Sequence, residues 1–129
     1  MPKELSEVAR LVLVVDDFDD NRVLYAEMLE EAGYVVKQAT NGIEAMEMVR
    51  SFRPALIVMD LSMPVLDGWE ATRQIKADPA TADIVIIALT SHATNYGLAQ
   101  AKDAGAEAVL TKPCLPADLL GIVSVLMPA

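Results

Sequence analysis

Short, continuous apolar runs recur along the chain, and a segment with helical spacing follows each of them. The strongest runs are Leu11–Val15, Leu56–Met59, Ile84–Leu89 and Ala108–Leu110, and a weaker run, Tyr34–Val36, turns polar at Lys37. Apolar runs without alternation are typical of strands that are buried on both faces, as in parallel sheets. The weaker run suits an edge strand. The pattern therefore constrains the chain to an α/β fold in which helices cover both faces of a parallel sheet.

The intervening segments carry apolar residues at helical spacing. These residues are Val23, Leu24, Met28 and Leu29 in the first segment, Ile43, Met46 and Val49 in the second, and Trp69, Thr72 and Ile75 in the third. Further helices are predicted over Thr94–Ala104 and from Leu115 or Ala117 to Met127. Gly33 is placed as a C-terminal cap, Asp67 as an N-cap and Pro116 in a first turn. Five strand–helix repeats result, and right-handed crossovers are expected between them.

Length and composition narrow the class of protein. The 129 residues suit one domain, and 53% hydrophobic with 22% charged residues is an ordinary globular composition. The net charge of −9 argues against direct nucleic-acid binding, which needs clustered Lys and Arg. No apolar run reaches membrane-spanning length, and the N-terminus lacks the apolar core of a signal sequence. A single cysteine, Cys114, excludes an internal disulfide and suits a reducing compartment, so a cytoplasmic protein that does not bind membranes is expected.

Polar residues follow four of the predicted strands. They are Asp16 and Asp17, Asp60, Thr90 with Ser91, and Lys112. In open parallel sheets the functional site lies outside the carboxyl ends of the strands. Three carboxylates that meet there repel one another by roughly 4 kcal/mol per pair at an effective dielectric constant near 20, so a cation is needed. An oxygen-only ligand set without His or Cys suits Mg²⁺, with Mn²⁺ as the alternative ion.

The same residue types are suited to phosphoryl transfer. A carboxylate at Asp60 can act as a nucleophile and form an acyl phosphate, while the metal and Lys112 spread charge over the phosphoryl oxygens. Taken singly, each residue has a simpler interpretation: a helix cap for Asp16 or Asp17, a turn acid for Asp60, a strand-end hydroxyl for Thr90 and a surface lysine for Lys112. Their occurrence together at four strand ends favours the phosphoryl-transfer interpretation.

Four segments together resemble a known family. VVDD (14–17), MDLSMPVLDG (59–68), ALTSHA (88–93) and LTKP (110–113) look like the motifs of a response-regulator receiver domain of two-component signalling. The resemblance extends from about Leu11 to Leu126. It implies a flavodoxin-like (βα)5 fold, a doubly wound five-stranded parallel sheet with strand order 2-1-3-4-5. It also implies a single receiver domain over residues 1–129 with no output domain, an excised fragment of a longer regulator being the alternative.

The resemblance assigns roles to the acidic residues. Asp60 looks like the phosphoacceptor, which receives its phosphoryl group from a sensor histidine kinase or a phosphotransfer protein. Asp17 resembles the acid that binds Mg²⁺ directly, with Asp16 nearby and the backbone carbonyl of Ser62 as a further ligand. A downstream protein, whose identity the sequence does not give, would read the phosphorylated state.

The remaining motif positions are assigned in the same way. Thr90 resembles the switch hydroxyl that contacts the phosphoryl group, and Lys112 resembles the family's phosphoryl-contacting lysine. The bond from Lys112 to Pro113 is expected to be cis, since cis peptide bonds are confined almost entirely to proline. Ser62 and His92 occupy the two variable positions that tune hydrolysis of the phosphoryl group in relatives.

The sequence departs from the family pattern at Val109, where receivers usually carry a Tyr or Phe that moves on phosphorylation. This departure favours one alternative, a constitutive protein-interaction module that keeps the fold without the switch. Enzymes on similar scaffolds fit less well. A haloacid-dehalogenase-type phosphatase needs an acid where Ser62 stands, and the acidic loop 16–20 would repel the phosphate of a flavin. No turnover enzyme is expected, only slow self-dephosphorylation.

Overall fold

Five parallel strands form one sheet in the computed structural model, which describes residues 11–61, 68–90, 102–112 and 114–127. The strands are β1 (Leu11–Val15), β2 (Val35–Ala39), β3 (Leu56–Asp60), β4 (Val85–Thr90) and β5 (Ala108–Thr111). Their order across the sheet is β2-β1-β3-β4-β5. This order confirms the flavodoxin-like sheet that the resemblance implied.

Burial of the strands follows their position in the sheet. Every residue of β1 and β3 is buried, whereas β2 at one edge alternates between exposed and half-buried positions up to Ala39. The register places Asp60 beside Leu89 and Thr90 beside Thr111. The carboxyl ends of β3, β4 and β5 therefore lie level along one edge of the sheet.

Four helices pack on the two faces of the sheet within the described residues: α1 (Asp19–Glu31), α2 (Gly42–Phe52), α3 (Gly68–Ala77) and α4 (Pro116–Leu126). Buried residues of α1 and α4 pack with Val12, Val14 and Val58 on one face. Buried residues of α2 and α3 pack with Leu13, Val15 and Ile57 on the other. Most of the predicted helix 94–104 and the predicted N-cap Asp67 lie outside the described residues. No described helix is both long enough and apolar enough to cross a membrane.

Local signals define several helix ends. The Asn41 side chain accepts a hydrogen bond from the Glu44 amide at 2.8 Å, and the Glu44 carboxylate accepts one from the Thr40 amide at 3.1 Å. This reciprocal pair satisfies amides that have no partner inside α2. Gly33 has φ of 99° just after α1, which confirms the predicted glycine at that helix end. Pro116 opens α4 in its first turn, as predicted.

The predicted apolar stripes of α1 and α2 are partly wrong. Val23, Leu24 and Ile43 are 38%, 49% and 49% exposed, whereas Tyr25, Ala26 and Leu29 are the buried residues of α1. Helical periodicity alone does not choose between two overlapping faces when apolar residues are adjacent in sequence. Packing against the sheet determines which face of the helix is buried. Trp69, Thr72 and Ile75 of α3 do pack inward, as predicted.

A polar cluster lies at the amino ends of β4 and β5, at the opposite edge of the sheet from the predicted site. The Lys76 ammonium at the end of α3 donates to the carbonyls of Ala82 at 3.1 Å and Ile84 at 2.6 Å, and it pairs with Glu107. The other oxygen of the Glu107 carboxylate accepts from the Ile86 amide at 2.6 Å. We call Lys76, Glu107 and the backbone groups that they bind the amino-end cluster. It fastens α3 to the start of two strands.

Candidate functional site

The carboxyl ends of β1, β3 and β5 bring together the charged residues that the sequence singled out. Asp16 and Asp17 follow β1, Asp60 is the last residue of β3, and Lys112 follows β5. One carboxylate oxygen from each of the three acids lies within 4.8 Å of the others. We call Asp16, Asp17, Asp60 and Lys112 the carboxyl-end cluster. The predicted convergence of these residues is confirmed.

Lys112 is held between two of the acids. Its Nζ lies 3.2 Å from Oδ2 of Asp60 and 3.4 Å from Oδ2 of Asp16. Burial by itself lowers the pKa of Lys112, but the charges of Asp60 and then Asp16 outweigh it, so the pKa rises above its ordinary value. The Lys112 amide also donates to the carbonyl of Thr90 at 2.8 Å. The side chain therefore stays charged, and its backbone is fixed to the end of β4.

The acids experience different environments. Asp16 and Asp60 are 1% and 2% exposed, whereas Asp17 is exposed. Burial raises the pKa of Asp16, and Asp60 raises it further, against the lowering effect of a hydrogen bond from the Phe18 amide and of the Lys112 charge. That amide lies 2.9 Å from Oδ1 of Asp16. Two buried carboxylates in contact are costly without additional positive charge.

The donor set fits a hard divalent cation. Three carboxylates and one ammonium leave a formal surplus of two negative charges in the carboxyl-end cluster. All available ligand atoms in the cluster are oxygens, which Mg²⁺ prefers, and one of the acids is open to solvent. The residues present therefore match the cation that the sequence predicted.

Two residues of helix α1, Arg22 and Tyr25, make contacts that the sequence analysis missed. The Arg22 guanidinium, 11% exposed, donates to the carbonyl of Asp16 at 3.1 Å and to Gln38 Oε1 at 3.1 Å, and it pairs with Asp19 at 2.7 Å. The buried Tyr25 donates its hydroxyl hydrogen to the carbonyl of Cys114 at 3.0 Å. A polar side chain one or two turns after the strand-end acids was the available signal. The sequence pattern did not indicate the partner of either side chain.

Gly68 allows α3 to begin directly against Asp60. A Cβ at this position would lie 2.6 Å from Cα of Leu61 and closer still to the carbonyl oxygen of Asp60. The Gly68 amide donates to the carbonyl of Leu61 at 3.3 Å. The close approach requires glycine because a side chain would collide with backbone atoms that cannot move aside.

Thr90 and Val109 share one face of the sheet. Thr90 is fully buried at the end of β4, and Val109 lies beside Ala88, two residues earlier on that strand. Val109 is half-buried and packs against the core on the side of α2 and α3. Ser62, His92 and Pro113, for which roles were predicted, lie outside the described residues.

Comparisons with known proteins agree with this geometry. The family model of the response regulator receiver domain matches residues 12–124. The chemotaxis protein CheY of Halobacterium salinarum is 38% identical over 122 residues, which cover 95% of this chain and 100% of the relative. The polar-differentiation response regulator DivK of Brucella anthropi is 34% identical over 102 residues, covering 79% and 83%.

Solved structures show the same likeness. The signal receiver domain of a signal transduction histidine kinase from Syntrophus aciditrophicus superposes with a TM-score of 0.85 at 32% identity. That superposition covers 91% of this chain and 89% of the other. Since the family model matches nearly the whole chain, the chain belongs to the response-regulator receiver family.

Proposed function

We propose that this chain is a phosphorylation-activated signalling switch that accepts a phosphoryl group on Asp60. The observation that carries the proposal is the placement of the buried Asp60 carboxylate 3.2 Å from the Lys112 ammonium, inside a cluster with two further acids. A buried carboxylate with a charged neighbour is suited to nucleophilic attack. The same ammonium can stabilise the negative charge that arrives with the phosphoryl group.

In the transfer step, side chains of this protein accept a phosphoryl group from a phosphohistidine of a second protein. A carboxylate oxygen of Asp60 attacks the phosphorus atom of a phosphohistidine on a histidine kinase or a phosphotransfer protein. A P–O bond forms as the P–N bond breaks, and the imidazole leaves with the electron pair and takes up a proton. The product is an acyl phosphate on Asp60. Lys112 contacts the phosphoryl oxygens during this step, and the Thr90 hydroxyl donates to one of them afterwards.

Asp16, Asp17, Asp60 and the backbone carbonyl of Ser62 would hold Mg²⁺, or Mn²⁺ in its place. The bound ion supplies positive charge that offsets the surplus of the carboxyl-end cluster and the charge of the phosphoryl oxygens. Arg22 fixes the backbone of Asp16, and Gly68 keeps α3 against Asp60, so these residues orient the acids.

The response to phosphorylation begins at Thr90 and passes through the backbone that follows it, since Val109 has no ring to move. Ser62 and His92 tune how fast water removes the phosphoryl group. This slow loss resets the switch and does not make the chain a turnover enzyme. A downstream protein binds the phosphorylated form with a different affinity.

Incubation with acetyl phosphate and Mg²⁺ followed by intact-mass measurement tests the proposal. The wild-type chain is expected to gain one phosphoryl group, and Asp60→Asn none. Asp83→Asn is the matched control, because Asp83 is an exposed acid that precedes the amino end of β4, at the opposite edge of the sheet from Asp60. This variant should gain one phosphoryl group, as the wild type does. EDTA should suppress the reaction. A wild-type chain that takes up no phosphoryl group would overturn the proposal.

Val109 favours a second candidate, a constitutive interaction module with a receiver fold. Beryllofluoride with Mg²⁺ mimics the phosphoryl group, and amide chemical shifts report the response of the backbone. A switch is expected to show shifts that spread from Thr90 and Lys112 into α4. Shifts confined to the carboxyl-end cluster would support the constitutive module.

A further inference from the structure

Tyr25 is a buried residue of α1, and within the described part of the chain it forms no hydrogen bond to a side chain of the carboxyl-end cluster. Its side chain is 4% exposed on α1, between the sheet and α4. The hydroxyl donates to the backbone carbonyl of Cys114, 89 residues away in sequence, at 3.0 Å. A phenylalanine would fill nearly the same volume. The hydroxyl therefore contributes a specific bond beyond the packing of the ring.

The accepting carbonyl is close to Lys112 along the chain. Cys114 is two residues after Lys112 and two residues before Pro116, where α4 begins. On the other side, the Lys112 amide is bound to the carbonyl of Thr90 at 2.8 Å. The backbone that carries Lys112 is therefore fastened on both sides, to β4 before it and to α1 after it.

The phenol is suited to remain a donor. Burial raises the pKa of Tyr25, and nearby acidic groups raise it further, so the hydroxyl stays protonated at neutral pH. Because Tyr25 is buried, water does not readily replace it as the partner of the Cys114 carbonyl. The bond therefore persists while the exposed side of the cluster exchanges solvent.

We propose that Tyr25 is a positioning residue for phosphoryl acceptance, which sets the reach of the Lys112 ammonium to Asp60 by holding the Cys114 carbonyl. The inference rests on the proposed function. Arg22, one turn earlier on α1, holds the carbonyl of Asp16 at 3.1 Å. One helix thus fixes both the acid side and the lysine side of the cluster, and a displacement of α1 changes the distance between them.

The variant Tyr25→Phe removes the hydroxyl and keeps the ring. Loss of one neutral hydrogen bond that orients a transition-state contact is expected to slow phosphorylation by acetyl phosphate about fivefold at saturating Mg²⁺. Tyr34→Phe is the matched control, since Tyr34 lies just before the amino end of β2, away from the cluster. Its phosphorylation rate should equal that of the wild type. Urea unfolding of each variant verifies that it is folded under the assay conditions.

A double-mutant cycle separates positioning from a general structural effect. In the Lys112→Met background the ammonium is gone, so adding Tyr25→Phe should change the rate by less than about twofold if Tyr25 acts through Lys112. A full fivefold loss in that background would show that Tyr25 acts elsewhere and would overturn the inference. A Tyr25→Phe rate equal to the wild type would overturn it as well. Both results leave the proposed function standing, whereas a wild-type chain that takes up no phosphoryl group removes both proposals.

Discussion

Two lysines pair with carboxylates at opposite ends of the same sheet, and their surroundings differ. Lys76 in the amino-end cluster meets one carboxylate, Glu107, and two backbone carbonyls. Lys112 in the carboxyl-end cluster meets two carboxylates, Asp60 and Asp16, with a third acid within 4.8 Å. The charges of Lys76 and Glu107 cancel in the amino-end cluster, whereas the carboxyl-end cluster has a surplus of negative charge.

The Lys76–Glu107 ion pair holds α3 against the sheet, whereas the Lys112 ion pairs lie in a cluster with excess negative charge. Both oxygens of Glu107 have partners, Lys76 and the Ile86 amide, so the amino-end cluster needs no further ion to balance its charge. The carboxyl-end cluster keeps like charges in contact, which costs stability and is compatible with binding of a cation. We therefore expect mutations at the two ends to change different quantities.

The largest expected difference concerns phosphorylation. Lys112→Met should slow phosphorylation by acetyl phosphate about 100-fold, because it removes the charged donor that contacts the phosphoryl oxygens in the function we propose. Lys76→Met removes the same charge from the opposite end and should leave the rate of the folded protein within about twofold. Intact-mass time courses at one Mg²⁺ concentration give both rates. Equal slowing by the two variants would contradict the assignment of roles.

Amide substitutions should change stability in opposite directions. Glu107→Gln places an NH₂ group where one oxygen accepted a hydrogen bond and removes the charge facing Lys76, so the free energy of unfolding should fall by about 2 kcal/mol. Asp60→Asn relieves repulsion with Asp16 and should raise it by about 1 kcal/mol in metal-free buffer. Urea unfolding measures both, with Asp83→Asn as a near-neutral control. The comparison fails if the two substitutions shift stability in the same direction.

Gly68→Ala tests the close approach of α3 to Asp60. The added methyl group meets backbone atoms of Asp60 and Leu61, so the free energy of unfolding should fall by about 2 kcal/mol. Gly121→Ala in α4 is the matched control, because a Cβ there would meet no heavy atom of the described residues within 4 Å beyond its chain neighbours and the backbone of its own helix. That variant should gain about 0.5 kcal/mol from the better helix propensity of alanine. A loss of similar size in both variants would show that crowding at Asp60 is not the cause.

The smallest effect is a pH dependence from Asp16. Its pKa is raised above the ordinary 3.8, so in metal-free buffer the folded state binds this proton more tightly than the unfolded chain does. The contribution of Asp16 to stability therefore decreases as pH rises through the window above 3.8. Asp16→Asn should remove this component from urea midpoints measured across that window. An unchanged pH profile in the variant would contradict the role of Asp16.

The sequence predicted the carboxyl-end cluster because its members follow strands. Continuous apolar runs indicate parallel strands, and parallel strands place their carboxyl ends along one edge. Asp16, Asp17, Asp60 and Lys112 could therefore be brought together without knowledge of any contact. The order of the strands came from the resemblance to receivers, since apolar patterning does not determine which strand neighbours which.

The contacts of the helices could not be predicted in the same way. The pairing of Lys76 with Glu107 and that of Tyr25 with Cys114 join residues that are distant in sequence and belong to no motif. Adjacent apolar residues in α1 allowed two inward faces, and the prediction favoured Val23 and Leu24, which are exposed. A helix turns to fit the surface beneath it, and that surface exists only after the sheet has formed.

By itself, the sequence determined the repeating strand–helix pattern, the parallel sheet and the edge at which its charged residues collect. These follow from local burial patterns and from the direction of the strands. The tertiary structure decided which face of α1 turns inward, which carbonyls Arg22 and Tyr25 hold, and that Lys76 meets balanced charge whereas Lys112 meets a surplus. Such choices depend on distances between elements that are far apart along the chain, and only the packed structure fixes those distances.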